Sequence, residues 1–370
     1  VEVGAQPGAR RELLEVLERG ICEKGPELAL FLTYDRPERI TERPALERLS
    51  FVERCVPDSQ LDAMRAAFAS IDVHVELFEG DLPLLKALAD GRIAAVDRRL
   101  KIVYNGLEGG ITRGGFEPGR LALVPAVVDS YGLLCANSDA HACTLGRHKF
   151  QYFTLLRALG LPAPQVWNYR LDQRWALGAA PSPGKRVIVK STYESWSVGV
   201  TDDSVFIVDA SSEERIRAVA EELGQPVVVQ EFVSGHEVCV PVLSCPLPEV
   251  MPAVEIHRAK APNELDAVTT IDDNLRRDGV VHRPYNCDSA LEKQMRVAAL
   301  GAFEALQLSS FGRVDFRIDG AGKAWITDVA TSPGISDRSS AFSSVALLGF
   351  HYPNFLRVVI AASLAARGHL

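Results

Sequence analysis

The sequence predicts a multidomain fold of mixed α/β and α+β character. Short apolar strands alternate with amphipathic helices over the first third of the chain, whereas later strands are joined by glycine turns. With 370 residues and 47% hydrophobic content, the chain can bury the core of two or three domains.

Glu27 to Thr33 (ELALFLT), Asp72 to Phe78 (DVHVELF) and Lys101 to Tyr104 (KIVY) read as strands. Helical stretches from Gln60 to Ser70 and from Leu82 to Asp90 lie between them, so a parallel sheet is expected. The glycine-rich passage from Gly106 to Gly119 closes this unit. It matches neither dinucleotide nor phosphate-loop spacing, and a surface loop explains it as well as a ligand loop. A second unit opens with a helix from about Cys143 to Leu159, ended by Gly160, Pro162 and Pro164. Strand Arg186 to Lys190, the polar loop STYESWSVG, strand Val205 to Val208 and a helix from Ser212 to Leu223, with Ser212 as N-cap, follow. A third unit starts near Pro226 with VVVQEFVSGHEVCVPVL and crosses a loop-rich polar stretch from His257 to Pro284. It then forms a helix from Ala290 to Leu306 and a terminal hairpin. The expected divisions are 1–135, 136–225 and 226–370.

A net charge of −8 and a pI near 5.6 disfavour nucleic acid or an anionic membrane as the main partner. Seven cysteines, odd in number and without a C-x-x-C pair, point to reduced thiols in a cytoplasmic setting. The most apolar run, Val358 to Ala366, is too short to cross a bilayer, and the N-terminus lacks the layout of a secretory signal. A soluble protein is expected.

Between Phe311 and Gly334 the chain reads FGRVDFRIDGAGKAWITDVATSPG. A two-residue turn at Ala321-Gly322 would set Gly320 opposite Lys323 and Asp315 opposite Asp328, with Val314, Phe316 and Ile318 on the other face. Facing carboxylates repel unless a cation sits between them, and all-oxygen ligands suit Mg²⁺ or Mn²⁺. The competing explanation is a solvated face on which Arg313 and Arg317 neutralise the acids. Lys190 ends a strand before a Ser/Gly loop and could meet a polyphosphate; Lys149 lies on an amphipathic helix. In Gln230-Glu231-Phe232-Val233 a strand end offers a flat apolar slot with backbone edge groups for a purine, and Glu237 lies six residues beyond Glu231. Taken singly, each reads equally as a solvent-reaching lysine or a core strand with surface acids.

Taken in order, these motifs resemble the ATP-grasp superfamily and, within it, the D-alanine–D-alanine ligase-like carboxylate–amine ligases. The resemblance runs from about Val103 to Phe355 and is most specific in GRVDFRID, DVATSPG, VIVK with its loop, and the passage from YGLLCANSD to GLPAP. It implies a three-domain ATP-grasp fold that holds ATP between two antiparallel sheets. It places Lys149 and Lys190 on the phosphates, Gln230, the Glu231 carbonyl and the Val233 N–H on adenine, and Glu237 on the ribose. Asp315 and Asp328 would hold Mg²⁺ or Mn²⁺. The implied reaction phosphorylates a small carboxylate and lets an amine attack the acylphosphate, with Arg313 and the Gly334 N–H stabilising the oxyanion. Ser191 to Gly199 would be a lid, with Glu194, Trp196 and Ser197, and beyond it Arg338 and Ser339, on the substrate side. A homodimer is the family's habit.

Four departures stand out. Asp328-Val329-Ala330 replaces the usual Glu-x-Asn, and His148 stands where an acid commonly precedes the lysine. Glu194-Ser195-Trp196-Ser197 replaces Glu-Gly-Ser-Ser, and no Lys-Tyr pair occurs between His257 and Pro284. These changes surround the acceptor side, so the expectation is an amide or peptide ligase of specialised metabolism acting on an amino acid or related small carboxylate. A cell-wall D-alanine–D-alanine ligase and an ATP-binding protein without catalysis are the alternatives.

Overall fold

All seven residues of Leu28–Tyr34 are buried, the signature of a strand covered on both faces. The computed structural model describes residues 7–36, 56–106, 118–261, 264–276 and 278–370. Helix α1 (Pro7–Lys24) leads into this strand, β1, followed by α2 (Asp58–Ala69), β2 (His74–Glu79), α3 (Asp81–Ala89) and β3 (Leu100–Asn105). Helix α4 (Leu123–Ser130) and the short β4 (Leu134–Cys135) complete a parallel sheet of order β2-β1-β3-β4, as the alternation predicts. The glycine-rich passage lies outside the described residues from 107 to 117.

The helix expected from Cys143 to Leu159 is two helices, α5 (Ala140–Arg147) and α6 (Lys149–Ala158). His148 breaks them because its imidazole caps α6, accepting from the Gln151 N–H at 3.4 Å, while the Lys149 N–H leaves the helix for the Thr192 carbonyl at 3.1 Å. Strands β5 (Val166–Tyr169), β6 (Arg186–Ser191) and β7 (Val205–Ile207), helix α7 (Ser212–Leu223) and strand β8 (Val227–Glu231) build the second sheet, antiparallel throughout and ordered β5-β8-β6-β7. Strand β8 therefore lies beyond the expected division at 225. Ser212 is not the cap of α7. Its hydroxyl and that of Ser211 both donate to Asp209, a more strongly accepting carboxylate.

The third sheet, ordered β12-β11-β9-β13-β14 with β10 beside β9, comprises β9 (His236–Ser244), β10 (Pro248–Val250), β11 (Val254–Arg258), β12 (Val280–Pro284), β13 (Phe311–Ile318) and β14 (Ala324–Ala330). Strand β12, the end of β11 and α8 (Ile271–Leu275) lie in the stretch expected to be loop-rich. Strand β12 escapes sequence reading because it is an edge strand without a buried face. Helices α6 and α9 (Ser289–Ala305) pack on this sheet through Tyr152, Phe153, Ala299 and Phe303, against Val314, Phe316 and Ile326. After α10 (Ser340–Ala346), α11 (Tyr352–Ala365) returns to the first sheet, where Phe355, Val359 and Ala362 share a core with Leu14, Ile21, Leu30 and Leu32. The last helix thus packs on the N-terminal sheet as well as on its own expected unit, where Leu243 and Phe311 belong to the same core. Among the described residues no helix is long and apolar enough to cross a membrane.

The hairpin reaches its predicted register by an unpredicted route. Asp319 organises a longer turn, accepting from the Ala321 and Lys323 N–H groups at 2.9 and 3.0 Å, so Ile318 faces Ala324. That register would set Thr327 opposite Asp315. A bulge at Thr327 inserts one residue and brings Asp328 opposite Asp315.

Gly235 joins the second and third sheets, with φ +155°; a Cβ there would lie 1.9 Å from the Ile318 carbonyl oxygen. Gly235→Ala is expected to lower stability by about 2 kcal/mol or more. Urea denaturation checks this, and the loss should exceed that of Gly320→Ala, whose Cβ would meet nothing within 4 Å.

Candidate functional site

Every site residue expected from the sequence lines one cavity of about 360 Å³ between the second and third sheets. At its floor, Asp315 is 7% exposed and accepts two bonds of 2.7 Å from Arg313. Burial opposes the charge on that guanidinium, but the Asp315 carboxylate outweighs it and holds Arg313 firmly protonated. Opposite, Asp328 accepts from the Tyr152 hydroxyl at 2.5 Å and from the Val329 N–H at 3.0 Å. Burial pushes the Asp328 carboxyl up, yet Lys149, Lys190, Tyr152 and Arg313 together hold it below the usual carboxylate range. The solvated-face explanation fails on Arg317. That side chain is buried and turned away, donating to the carbonyls of Leu265 at 2.8 Å and Ala267 at 2.6 Å.

Lys190 donates to Gln230 Oε1 at 2.9 Å and to the carbonyl of the bulged Thr327 at 3.2 Å. Burial lowers its pKa to about 8 against the pull of Asp328. Lys149 is buried and donates to the Glu194 carbonyl. The nearby Gln230 amide nitrogen is buried without a partner among the described residues, as is costly unless a ligand supplies the acceptor. Beside it, Ile188, Val200, Val268 and Phe232 form a small apolar cluster apart from the main cores. The Val233 N–H has no partner among the described residues either, whereas Glu231 turns its carboxylate to Lys185 at 3.1 Å and offers only its main chain. A flat apolar slot with an orphaned donor and two lysines at its end fits an adenine nucleotide. Glu237, expected at the ribose, binds Arg258 and Arg317, the latter at 3.3 Å, through its Oε2, which leaves Oε1.

The lid divides into a fixed base and an overhanging tip. Glu194, expected at the substrate, is 1% exposed and forms a bidentate pair with Arg120 at 2.9 and 2.7 Å, with Gln225 at 3.2 Å and Arg147 at 3.8 Å. It anchors the loop. Beyond it, Ser195 accepts at its carbonyl from the Val198 N–H at 3.0 Å around Trp196 (φ 55°) and Ser197 (φ 60°). Two successive non-glycine residues in the left-handed region cost ~1 kcal/mol each. Asn274 of α8 offsets part of this, donating to the Trp196 carbonyl at 3.0 Å and to the Ser197 hydroxyl at 3.3 Å. Trp196 remains 42% exposed above the cavity. Ser339 lines the cavity while its hydroxyl caps α10, accepting from the Phe342 N–H at 3.1 Å and donating to the Ser336 carbonyl at 2.8 Å.

Sequence reading missed Tyr152, Arg120, Asn274 and His282. Tyr152 was findable, three residues after Lys149 and so on the same helical face. Arg120 and Asn274 carry no motif, and His282 sits on the unrecognised edge strand.

The cavity brings two carboxylates, one of them already paired with Arg313. Among the described residues no group of three or more His, Cys, Asp or Glu could hold a metal. This donor set fits a divalent ion that arrives with a polyphosphate and takes its remaining ligands from phosphate and water.

The family description "D-ala D-ala ligase C-terminus" matches residues 168–361, a little over half of the chain. The chain belongs to that family. It is an ATP-grasp carboxylate–amine ligase of D-alanine–D-alanine ligase type, an ATP-dependent, ADP-forming C–N ligase. Among its relatives, the uncharacterized protein y4sG of Sinorhizobium fredii is 25% identical over 308 residues, 81% of this chain and 85% of that one. A D-alanine–D-alanine ligase of Alkalilimnicola ehrlichii is 28% identical over 229 residues, 61% of this chain and 68% of that one. The crystal structure of D-alanine–D-alanine ligase from Bacillus anthracis complexed with ATP matches with a TM-score of 0.66 at 17% identity, over 92% of this chain and 98% of that one. The VanG D-Ala:D-Ser ligase of Enterococcus faecalis matches at 0.60 and 15% identity, over 91% and 99%. These likenesses bear out the expected ATP-grasp fold.

With Lys190 on the phosphates, as expected from the sequence, nucleotide affinity should depend on pH. Below a pKa of about 8 the lysine is a cation ready for phosphate; above it, binding must first return the proton. ATP affinity, measured by calorimetry, should therefore hold steady near neutrality and weaken by up to about tenfold per pH unit above that value. The dependence should vanish in Lys190→Met, at uniformly low affinity.

Proposed function

We propose that this ligase joins an amino acid or related small carboxylate to an amine other than D-alanine, through an acylphosphate, in specialised metabolism. The observation that carries the substrate half is Trp196. It occupies a turn that glycine would satisfy without strain and overhangs the acceptor end, where a bulky ring leaves little reason for a substrate as small as D-alanine. The cell-wall reading, a D-alanine–D-alanine ligase, is supported by the names of relatives that share a quarter of the sequence.

In this reading Gln230, the Glu231 carbonyl and the Val233 N–H orient the adenine, and Glu237 Oε1 takes a ribose hydroxyl. Lys149 and Lys190 neutralise the phosphates, and Asp315 and Asp328 hold Mg²⁺ or Mn²⁺, which supplies charge stabilisation for phosphoryl transfer when bound. Arg313, held beside Asp315, and the Gly334 N–H would stabilise the reacting acyl oxygen. Tyr152 fixes the shorter Asp328 side chain by its 2.5 Å bond. Trp196 and Ser197 limit water at the acylphosphate, and Arg338 lies on the substrate side.

The test is phosphate release from ATP and Mg²⁺ across a panel of carboxylates and amines. Turnover with non-alanine pairs supports the proposal, turnover confined to D-alanine supports the cell-wall reading, and ATP binding without turnover on any pair supports a protein without catalysis. Asp315→Asn is expected to lower turnover about 100-fold or more; activity within a few-fold of wild type would rule out the metal assignment. Trp196→Ser should shift selectivity toward or away from bulky acceptors by about tenfold while leaving ATP affinity unchanged.

A further inference from the structure

The cavity contains an ionisable side chain for which neither the nucleotide nor the metal carboxylates have a use. His282 lies on β12 opposite Ile256 of β11, and both residues line the cavity. The charge that acts on it is a cation, Arg313 from β13, and the main chain of Arg338, in the segment after β14, contacts the imidazole. Among the described residues no side chain hydrogen-bonds the ring. Burial first, and then Arg313, lower its pKa to about 4, so the imidazole is neutral and carries an available lone pair. As a mere packing residue it would set a polar ring beside the Arg313 guanidinium, where an apolar side chain would cost less.

We propose that His282 is the general base for the attacking amine. The inference rests on the ligase reading above. The amine nitrogen uses its lone pair to form the C–N bond to the acyl carbon, and the carbonyl π pair moves to oxygen beside Arg313. The nitrogen then passes its proton to the neutral imidazole. The oxygen pair re-forms the carbonyl as the acyl C–O bond breaks and leaves with phosphate, and the imidazolium returns the proton to solvent. Phosphate charge in the cavity at that moment offsets Arg313 and raises the proton affinity of His282 when it is needed.

The experiment compares wild type with His282→Asn and His282→Gln, first using hydroxylamine and then primary amines as acceptors, over the standard L- and D-amino acids as carboxylates. Hydroxylamine is largely unprotonated near neutrality and traps an acylphosphate without a base. Both variants should form hydroxamate within about threefold of wild type but lose about 100-fold or more in amide formation. Retained hydroxamate also shows that the variants fold. The assignment is overturned if amide formation is unchanged, or if the two products fall in parallel. Absence of hydroxamate from wild type with every carboxylate would instead overturn the ligase reading, and this assignment with it.

Discussion

Two carboxylates set face to face on adjacent strands are the constraint around which the rest of the site is arranged. Asp315 and Asp328, paired across the hairpin, would repel each other without compensating charge, and the fold brings it from three elements. Arg313 comes from the same strand as Asp315, Lys190 from the end of β6 in the second sheet, and Lys149 from the first turn of α6. Lys149 is itself buried and Lys190 and Arg313 are half-buried, which is tolerable only because the acids are there. Acids and bases therefore hold the two sheets in a mutual relation that leaves a gap of nucleotide dimensions.

The departures from the family pattern become intelligible as physical adjustments. Asp328 is one methylene shorter than the usual glutamate, and a buried tyrosine hydroxyl fixes its position. Ala330 offers no ligand atom in its side chain, so in the proposed reading a metal held by the two carboxylates would take its remaining ligands from phosphate and water. The lid is built against strain, with Trp196 and Ser197 in the left-handed region, and it is secured on both sides by Arg120 and Asn274. Backbone strain of this kind persists only where surrounding contacts impose it.

The pairing of Asp315 with Asp328 was legible because strand alternation and a glycine turn confine the register to few choices. The turn itself was misread, since the Asp319 carboxylate lengthens it and the bulge at Thr327 restores the pairing, and no periodicity encodes either event. The parallel sheet was legible from alternation, but the return of α11 to it was not, because an apolar helix does not name the face it will cover. Every expected site residue reached the cavity, yet Glu194 and Ser339 reached it as structural groups. A sequence position fixes neighbourhood; partners such as Arg120, far away in the chain, decide what a side chain does there.

The central claim is that the carboxylate pair and its cations support reversible transfer of the γ-phosphoryl group to a substrate carboxylate. Positional isotope exchange in ATP labelled at the β,γ-bridging oxygen, with a carboxylate present and the amine withheld, measures that transfer alone. Scrambling of the bridge label that requires the carboxylate and disappears in Asp315→Asn is the predicted result. Carboxylate-dependent ADP formation with no dependence on Asp315, or no scrambling with any carboxylate that supports amide formation, would contradict the account.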